Sequence, residues 1–358
     1  MTIACVVGAR PNFMKMGPIV QALHSRDLET SFVHTGQHYD SNMSQVFVEE
    51  LGLPAPDVNL GVGSGSHAAQ TAAIMIGLEQ LWLHERPRLV IVAGDINSTM
   101  AAALVAAKLS IPIAHVEAGL RSFDRTMPEE INRIVTDTLS DLLFTSEDAS
   151  TRQLLAEGIA RDKIHFVGNC MIDSLERQLP AALAAEPWRR FRCEPARYGL
   201  VTLHRPANVD DAAAFARTLE MLGEIARHLP LIFPVHPRTR ARLADREIPN
   251  VALVDPQPYL TFLGLMARAA VVLTDSGGVQ DETTALGVPC VTMRDNTERP
   301  ITVTLGTNVL AGTKPDRVRD VVLEQLERPA RRREVPPLWD GSAAHRIVDV
   351  VMRWLPDH

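Results

Sequence analysis

Carboxylates and cations recur just past short apolar, β-branched runs, where an α/β sheet presents its ligand-binding edge. The segment 94-GDINST-99 follows the run 89-LVIVA-93 and puts Asp95 at such an edge, with Ser98 and Thr99 able to cap the next helix. Asp95 is therefore either a catalyst or part of a cap. The segment 115-HVEAGLRSFDRTMPEEINR-133 adds Glu117 at the end of the next run and Glu129 beside Pro128 at a helix start. A glutamate there has a simpler use, offsetting the helix dipole. Brought into one cleft, Asp95, Glu117 and Glu129 would push one another's proton affinities apart, as acid/base catalysis requires. Spacing does not assign which is acid and which is base.

Other segments suit an anion. After the first apolar run comes 8-GARPNFMKMGP-18, which lacks the GxGxxG of a dinucleotide site. Arg10 and Lys15 instead flank a turn entering a helix, beside unpaired N–H groups. They read equally as surface cations. In 203-LHRPAN-208, His204 and Arg205 follow a strand and suit a phosphate; His204 reads either as a catalytic residue or as a structural histidine, and His236 holds a similar place. The strongest local signal is 275-DSGGVQDE-282. Two glycines there let the backbone approach a ligand, and a helix N-terminus can hold a diphosphate. Ser276, Gly277 and Gly278 form that turn, and Glu282 lies deeper in the helix, where a carboxylate can accept ribose hydroxyls. A glycine turn with a serine cap is the plain alternative. Arg299 adds a further cation. Gln257 and Phe262 could read and stack a nucleobase, and Phe262 could equally be core.

These positions need a scaffold. Strands are expected at 3–7, 31–35, 89–93, 112–116, 142–145 and 164–167, then at 199–203, 231–235, 251–255, 271–274 and 289–293. Amphipathic segments between them read as helices, which argues for parallel sheets covered on both faces. A Pro- and Arg-rich stretch at 180–199 marks the expected linker, in or just before it. The fold class is α/β with two doubly wound domains, residues 1–168 and 169–342, and a helix over 343–358 that crosses back. At 358 residues the chain is long enough for two cores.

Composition removes several function classes. Hydrophobic residues make up 46 % and charged residues 22 %, an ordinary globular balance rather than a disordered one. The net charge of −7 disfavours a nucleic-acid partner, and Arg331–Arg333 reads as a solvated surface. No apolar run approaches the roughly 20 residues of a membrane span, so no membrane partner is expected. Cys5, Cys170, Cys193 and Cys290 are too scattered for a disulfide framework or a zinc site, so no metal is expected. Without a charged segment before its first apolar run, the chain is expected to be cytoplasmic.

Taken in order, GARPNFMKM, TGQH, GDINST, HVEAGLRSFDRTMPEEINR, TLHR, PVHP, DPQPYL, TDSGGVQDE and RDNTERP resemble the non-hydrolysing UDP-N-acetylglucosamine 2-epimerase family. The resemblance runs from Gly8 to about Gly312. It implies a GT-B fold, two Rossmann-like domains with a sugar nucleotide in the cleft between them, and a homodimer. It implies that Ser276, Gly277 and Gly278 hold the diphosphate with Arg10, His204 and Arg299, that Glu282 takes the ribose, and that Gln257 and Phe262 take the uracil side. Asp95, Glu117 and Glu129 match carboxylates implicated in proton transfer, and Lys15 matches a lysine near the substrate. The implied reaction eliminates UDP to 2-acetamidoglucal and adds it back on the opposite C2 configuration, with no metal or nicotinamide cofactor. A hydrolysing relative, an epimerase for a modified UDP-sugar and a GT-B glycosyltransferase share parts of this pattern. Tyr39-Asp40 stands after Gln37-His38 where members activated by a second substrate molecule tend to carry Arg and Gln, so such activation is expected to be weak or absent.

Overall fold

The computed structural model describes residues 2–37, 52–203, 205, 211–235, 239–240, 243, 247–328 and 334–355. Expectations for His38, Tyr39, Asp40, His204, His236 and Arg331–Arg333 lie outside these residues, as does the Arg10 side chain. The chain divides into two units, Met1–Ser174 with Pro337–His358, and Leu175–Pro336.

In the first unit, strands β1 (Ile3–Val7), β2 (Thr30–His34), β3 (Val58–Asn59), β4 (Leu89–Ala93), β5 (Ile113–Val116), β6 (Leu142–Thr145) and β7 (Ile164–Phe166) form one sheet. Its order is β3-β2-β1-β4-β5-β6-β7, and every pairing is parallel. All residues of β1 and β4 are buried. That is why these strands read as unbroken apolar runs: a parallel sheet with helices on both faces leaves no solvated side. The helices are α1 (Arg10–His24), α2 (His67–His84), α3 (Asn97–Lys108), α4 (Pro128–Leu139) and α5 (Asp148–Ala156). In α2, Gln70, Ile74, Leu78 and Trp82 repeat every fourth residue and form its buried stripe. The apolar members of that stripe join Val90, Val92 and the alanines of α3 in one core. Strand order reverses between β1 and β4, so the loops after these strands flank the crevice where doubly wound sheets take ligands.

A single helix, α6 (Cys170–Ala184), crosses the division between units. The division at Ser174/Leu175 falls just before the Pro- and Arg-rich stretch, which is itself mostly structured and belongs to the second unit. Pro180 lies inside α6, and a 3-10 turn at Pro187–Phe191 follows it. Trp188 is buried, and a Cβ on Gly264 would stand 2.5 Å from the Ala182 carbonyl oxygen and 2.8 Å from Pro187. Apolar anchors thus hold this stretch in place.

The second sheet contains β8 (Gly199–Thr202), β9 (Leu231–Pro234), β10 (Val251–Val254), β11 (Val271–Thr274), β12 (Cys290–Thr292) and β13 (Asn308–Leu310), in the order β10-β9-β8-β11-β12-β13. Its helices are α7 (Ala212–Ala226), α8 (Tyr259–Ala267), α9 (Gly277–Leu286), α10 (Pro300–Thr304) and α11 (Pro315–Glu327). The reversal falls between β8 and β11, which places Arg205 and Ser276 at the equivalent edge. The final helix, α12 (Ala343–Trp354), belongs to the first unit. The Asp173 carboxylate accepts the Ala343 and Ala344 amides at 3.1 and 2.7 Å and so caps it. Short β3, β13 and α10 have no counterpart in the sequence reading. Their periodicity is too brief to see.

Candidate active site

In the first unit the crevice edge carries two carboxylates, each with its own cation. Glu117 directly follows β5, and its Oε2 is ion-paired with Lys15 Nζ from α1. Both side chains are almost fully buried. Asp95, two residues beyond β4, is ion-paired with Arg133 from α4 and is the more open of the two carboxylates. Glu129 lies half-exposed in the first turn of α4, and no described hydrogen bond or ion pair joins it to Asp95 or Glu117. Its neighbour Glu130 turns inward instead.

Backbone geometry makes room for these pairs. Gly94 has φ +69°, and a Cβ there would stand 2.9 Å from Lys15 Nζ and 3.5 Å from Glu117 Oε2. The close approach requires glycine. Asn12 donates to the Ala93 carbonyl oxygen at 2.7 Å, which fixes the end of β4 against the start of α1. Glu117 itself has φ +71°. A non-glycine residue in that region costs on the order of 1–3 kcal/mol and persists only where its surroundings enforce it. Here the Glu117 and Ala118 amides both donate to the Phe144 carbonyl oxygen at 3.0 Å.

A charged layer lies behind this edge. Glu130 accepts the Ser122 and Phe123 amides, each at 2.9 Å, and pairs with Arg133 at 2.6 Å. Burial alone would raise its proton affinity. The Ser122 amide, Arg133 and the Phe123 amide outweigh burial and hold the carboxyl below its ordinary value. Asp137 is likewise buried, yet the His115 ring and the Arg121 guanidinium hold its carboxyl low. Glu130, Arg133 and Asp137 share one face of α4 at helical spacing, so a stripe of charges takes the place of an apolar stripe. That pattern is the signal by which these residues, overlooked in the sequence reading, can be found.

In the second unit, Ser276, Gly277 and Gly278 open α9, and all three are partly exposed. The Ser276 side chain makes no cap hydrogen bond here. Its N–H groups and the positive end of its dipole suit an anion. A Cβ on Gly277 would stand 2.5 Å from Glu298 Oε1 and 3.1 Å from Arg299 Nη1. Arg299 is no loose cation: it pairs with Asp281 at 2.7 Å and Glu298 at 3.0 Å, bracing the glycine turn. Despite burial, Arg299 and Arg294 hold the Glu298 carboxyl far below its usual range. The Arg205 amide donates to Asp275 Oδ2 at 2.9 Å, and its Nε donates to the Asp275 carbonyl oxygen at 3.1 Å.

Glu282 is buried in α9 and accepts the Tyr259 hydroxyl at 2.9 Å. Burial pushes its carboxyl up to about 7, while the Tyr259 hydroxyl pulls against the rise. Gln257 is partly buried and donates to the Asp255 carbonyl oxygen at 2.6 Å. Phe262 is half-buried, neither core nor free. Among the described residues, no three His, Cys, Asp or Glu side chains are placed to hold a metal ion.

The profile of the UDP-N-acetylglucosamine 2-epimerase family matches residues 21–352. The chain belongs to that family. It is an enzyme of an isomerase family, with the two-domain α/β fold of the GT-B class. The UDP-N-acetylglucosamine 2-epimerase of Methanocaldococcus jannaschii is 42 % identical over 98 % of this chain and 99 % of its own. The crystal structure of the Methanocaldococcus jannaschii enzyme in complex with UDP-GlcNAc and UDP has a TM-score of 0.91 at 41 % identity, covering 99 % of this chain and all of that one. The UDP-2,3-diacetamido-2,3-dideoxy-D-glucuronate 2-epimerase of Pseudomonas aeruginosa is 43 % identical over 90 % of this chain and 91 % of its own. This epimerase-family chain has no helix among its described residues long and apolar enough to cross a membrane.

Proposed function

We propose that this chain interconverts UDP-N-acetylglucosamine and UDP-N-acetylmannosamine without net hydrolysis. The observation that carries the reading is the pair of carboxylates, Asp95 and Glu117, at neighbouring strand ends, each held by a buried cation. No carbonyl acidifies the C2 hydrogen of the sugar, so direct deprotonation and reprotonation is too costly. Elimination avoids this. The C1–O bond breaks with its electron pair leaving on UDP, a carboxylate removes the C2 proton, and the C1–C2 double bond of 2-acetamidoglucal forms. Protonation of C2 on the opposite face and return of UDP to C1 complete the inversion. Two proton-carrying groups are needed, and Asp95 and Glu117 are our assignment, with Glu129 third.

The departing UDP gathers negative charge. In our reading the open end of α9 at Ser276, Gly277 and Gly278 takes the diphosphate, with Arg10, His204, Arg205 and Arg299 as the cationic side chains. Lys15 stands near the sugar, Glu282 takes the ribose, and Gln257 and Phe262 take the uracil. We further propose a cytoplasmic homodimer. Ile76 and Leu83 on the outer face of α2 are 58 % and 69 % exposed, an apolar surface suited to a second copy.

One specific observation favours a second reading. The Pseudomonas aeruginosa relative, named for a diacetamido glucuronate, is as similar as the N-acetylglucosamine enzymes. Incubation in D2O with each UDP-sugar, followed by NMR, tests both. Deuterium at C2 with both UDP-linked epimers present supports the epimerase, and the substrate that reacts identifies the sugar. Free N-acetylmannosamine with accumulating UDP would replace it with the hydrolysing reaction.

A further inference from the structure

We propose that Asp137 is the positioning residue of Glu117, its carboxylate holding the strained turn that carries Glu117 from both flanks. The inference rests on the epimerase reading above, which makes Glu117 a proton-transfer group. Before Glu117 on the chain stands His115, whose Nδ1 lies 2.6 Å from Asp137 Oδ1. After it stand Gly119, whose amide donates to Asp137 Oδ2 at 3.1 Å, and Arg121, whose Nη1 lies 2.7 Å from the same oxygen. One carboxylate from α4 thus grips both ends of a turn whose central residue has φ +71°.

The grip extends to the second carboxylate. His115 Nε2 lies 2.8 Å from the Gly94 carbonyl oxygen. A carbonyl oxygen only accepts, so Nε2 carries the hydrogen and donates. Gly94 directly precedes Asp95. The Asp137–His115 couple therefore links the two turns that present Asp95 and Glu117. His115 is fully buried and Asp137 is 1 % exposed. Neither can touch a substrate, so any part they play is exerted through the residues they hold. Second-layer groups of this kind set the geometry of first-layer ones, and a displacement of about 1 Å can cost on the order of 10²-fold in rate.

An ordinary stabilising ion cluster would cost stability when cut but would act independently of Glu117. A double-mutant cycle separates the two. Asp137→Asn is expected to lower kcat on the order of 10²-fold, with KM and UDP affinity changed by less than about twofold. In a Glu117→Gln background the same substitution is expected to reduce residual C2 deuterium uptake at least about tenfold less than it reduces wild-type turnover, because only its link to Asp95 through Gly94 remains. Equal fractional losses in both backgrounds would overturn the proposal. His115→Asn serves the same cycle if Asp137→Asn does not fold. Amide hydrogen exchange gives a readout independent of turnover: exchange at Gly119 should accelerate at least about tenfold in Asp137→Asn, with the β4 and β5 amides unchanged. Unaltered Gly119 exchange would also overturn it. A wild-type chain that turns over neither UDP-sugar would instead defeat the epimerase reading, and the exchange result would still decide the role of Asp137.

Discussion

Lys15 and Glu117, 102 positions apart in the chain, meet as a buried ion pair at the crevice edge of the first unit. Their meeting requires α1 to lie against β1 and β4, with Gly94 stepping aside between the two side chains. A buried pair of this kind is poor evidence for stability, since desolvation consumes much of the attraction. It is better evidence that both groups are needed where they are.

Glu117→Gln and Asp95→Asn should each lower turnover by about 10²–10⁴-fold, the usual contribution of a general acid or base. The UDP site we assign lies in the second unit, so UDP affinity should stay within about twofold of wild type. Deuterium uptake at C2 with calorimetric titration of UDP checks both halves. Near wild-type uptake would remove that residue from the chemistry.

Arg133 holds Glu130 and Asp95 at once. Arg133→Met leaves the Glu130 carboxylate buried without its counter-charge, and breaking one side of a buried pair costs about 3–5 kcal/mol. Urea denaturation should show a loss of that size. A loss below about 1 kcal/mol would mean that the Ser122 and Phe123 amides alone satisfy Glu130.

The Glu282 carboxyl gives a pH dependence with a definite sign. Its proton affinity in the folded chain is raised to about 7, against an ordinary value of about 4.3. The folded chain thus holds a proton that the unfolded chain releases between those values. The stability this contributes is complete below the ordinary value and is lost as pH rises through about 7. If the ribose hydroxyls donate to the ionised carboxylate, UDP binding should tighten over the same rise. Tyr259→Phe removes the hydroxyl that pulls the value down, so both midpoints should move to higher pH. Binding measured across pH would sink the ribose assignment if affinity stayed flat.

Gly277→Val tests the helix end. Its Cβ would meet Glu298 Oε1 at 2.5 Å, so the turn or the Arg299–Glu298 brace must shift. UDP affinity should fall at least about tenfold, about 1.4 kcal/mol, while Gly119 amide exchange in the first unit stays as in wild type. Unchanged affinity would mean that the diphosphate binds elsewhere.

Much of this protein was legible without coordinates. Runs such as 89-LVIVA-93 announce strands buried on both faces, and the residue after each run falls at the sheet's carboxyl edge. Asp95, Glu117, Arg205 and Ser276 were found in that way, because strand and helix periodicity are local properties of the chain. What tertiary structure alone decided is pairing. Nothing in local spacing says that Lys15 meets Glu117, that Arg133 takes Asp95, or that Glu130 rather than Glu129 turns inward. Nor could composition reveal that residues 180–199 are held by Trp188 and Gly264. Ion pairs and close approaches depend on which elements the sheet order brings side by side, and that order is set by the packing of the whole unit.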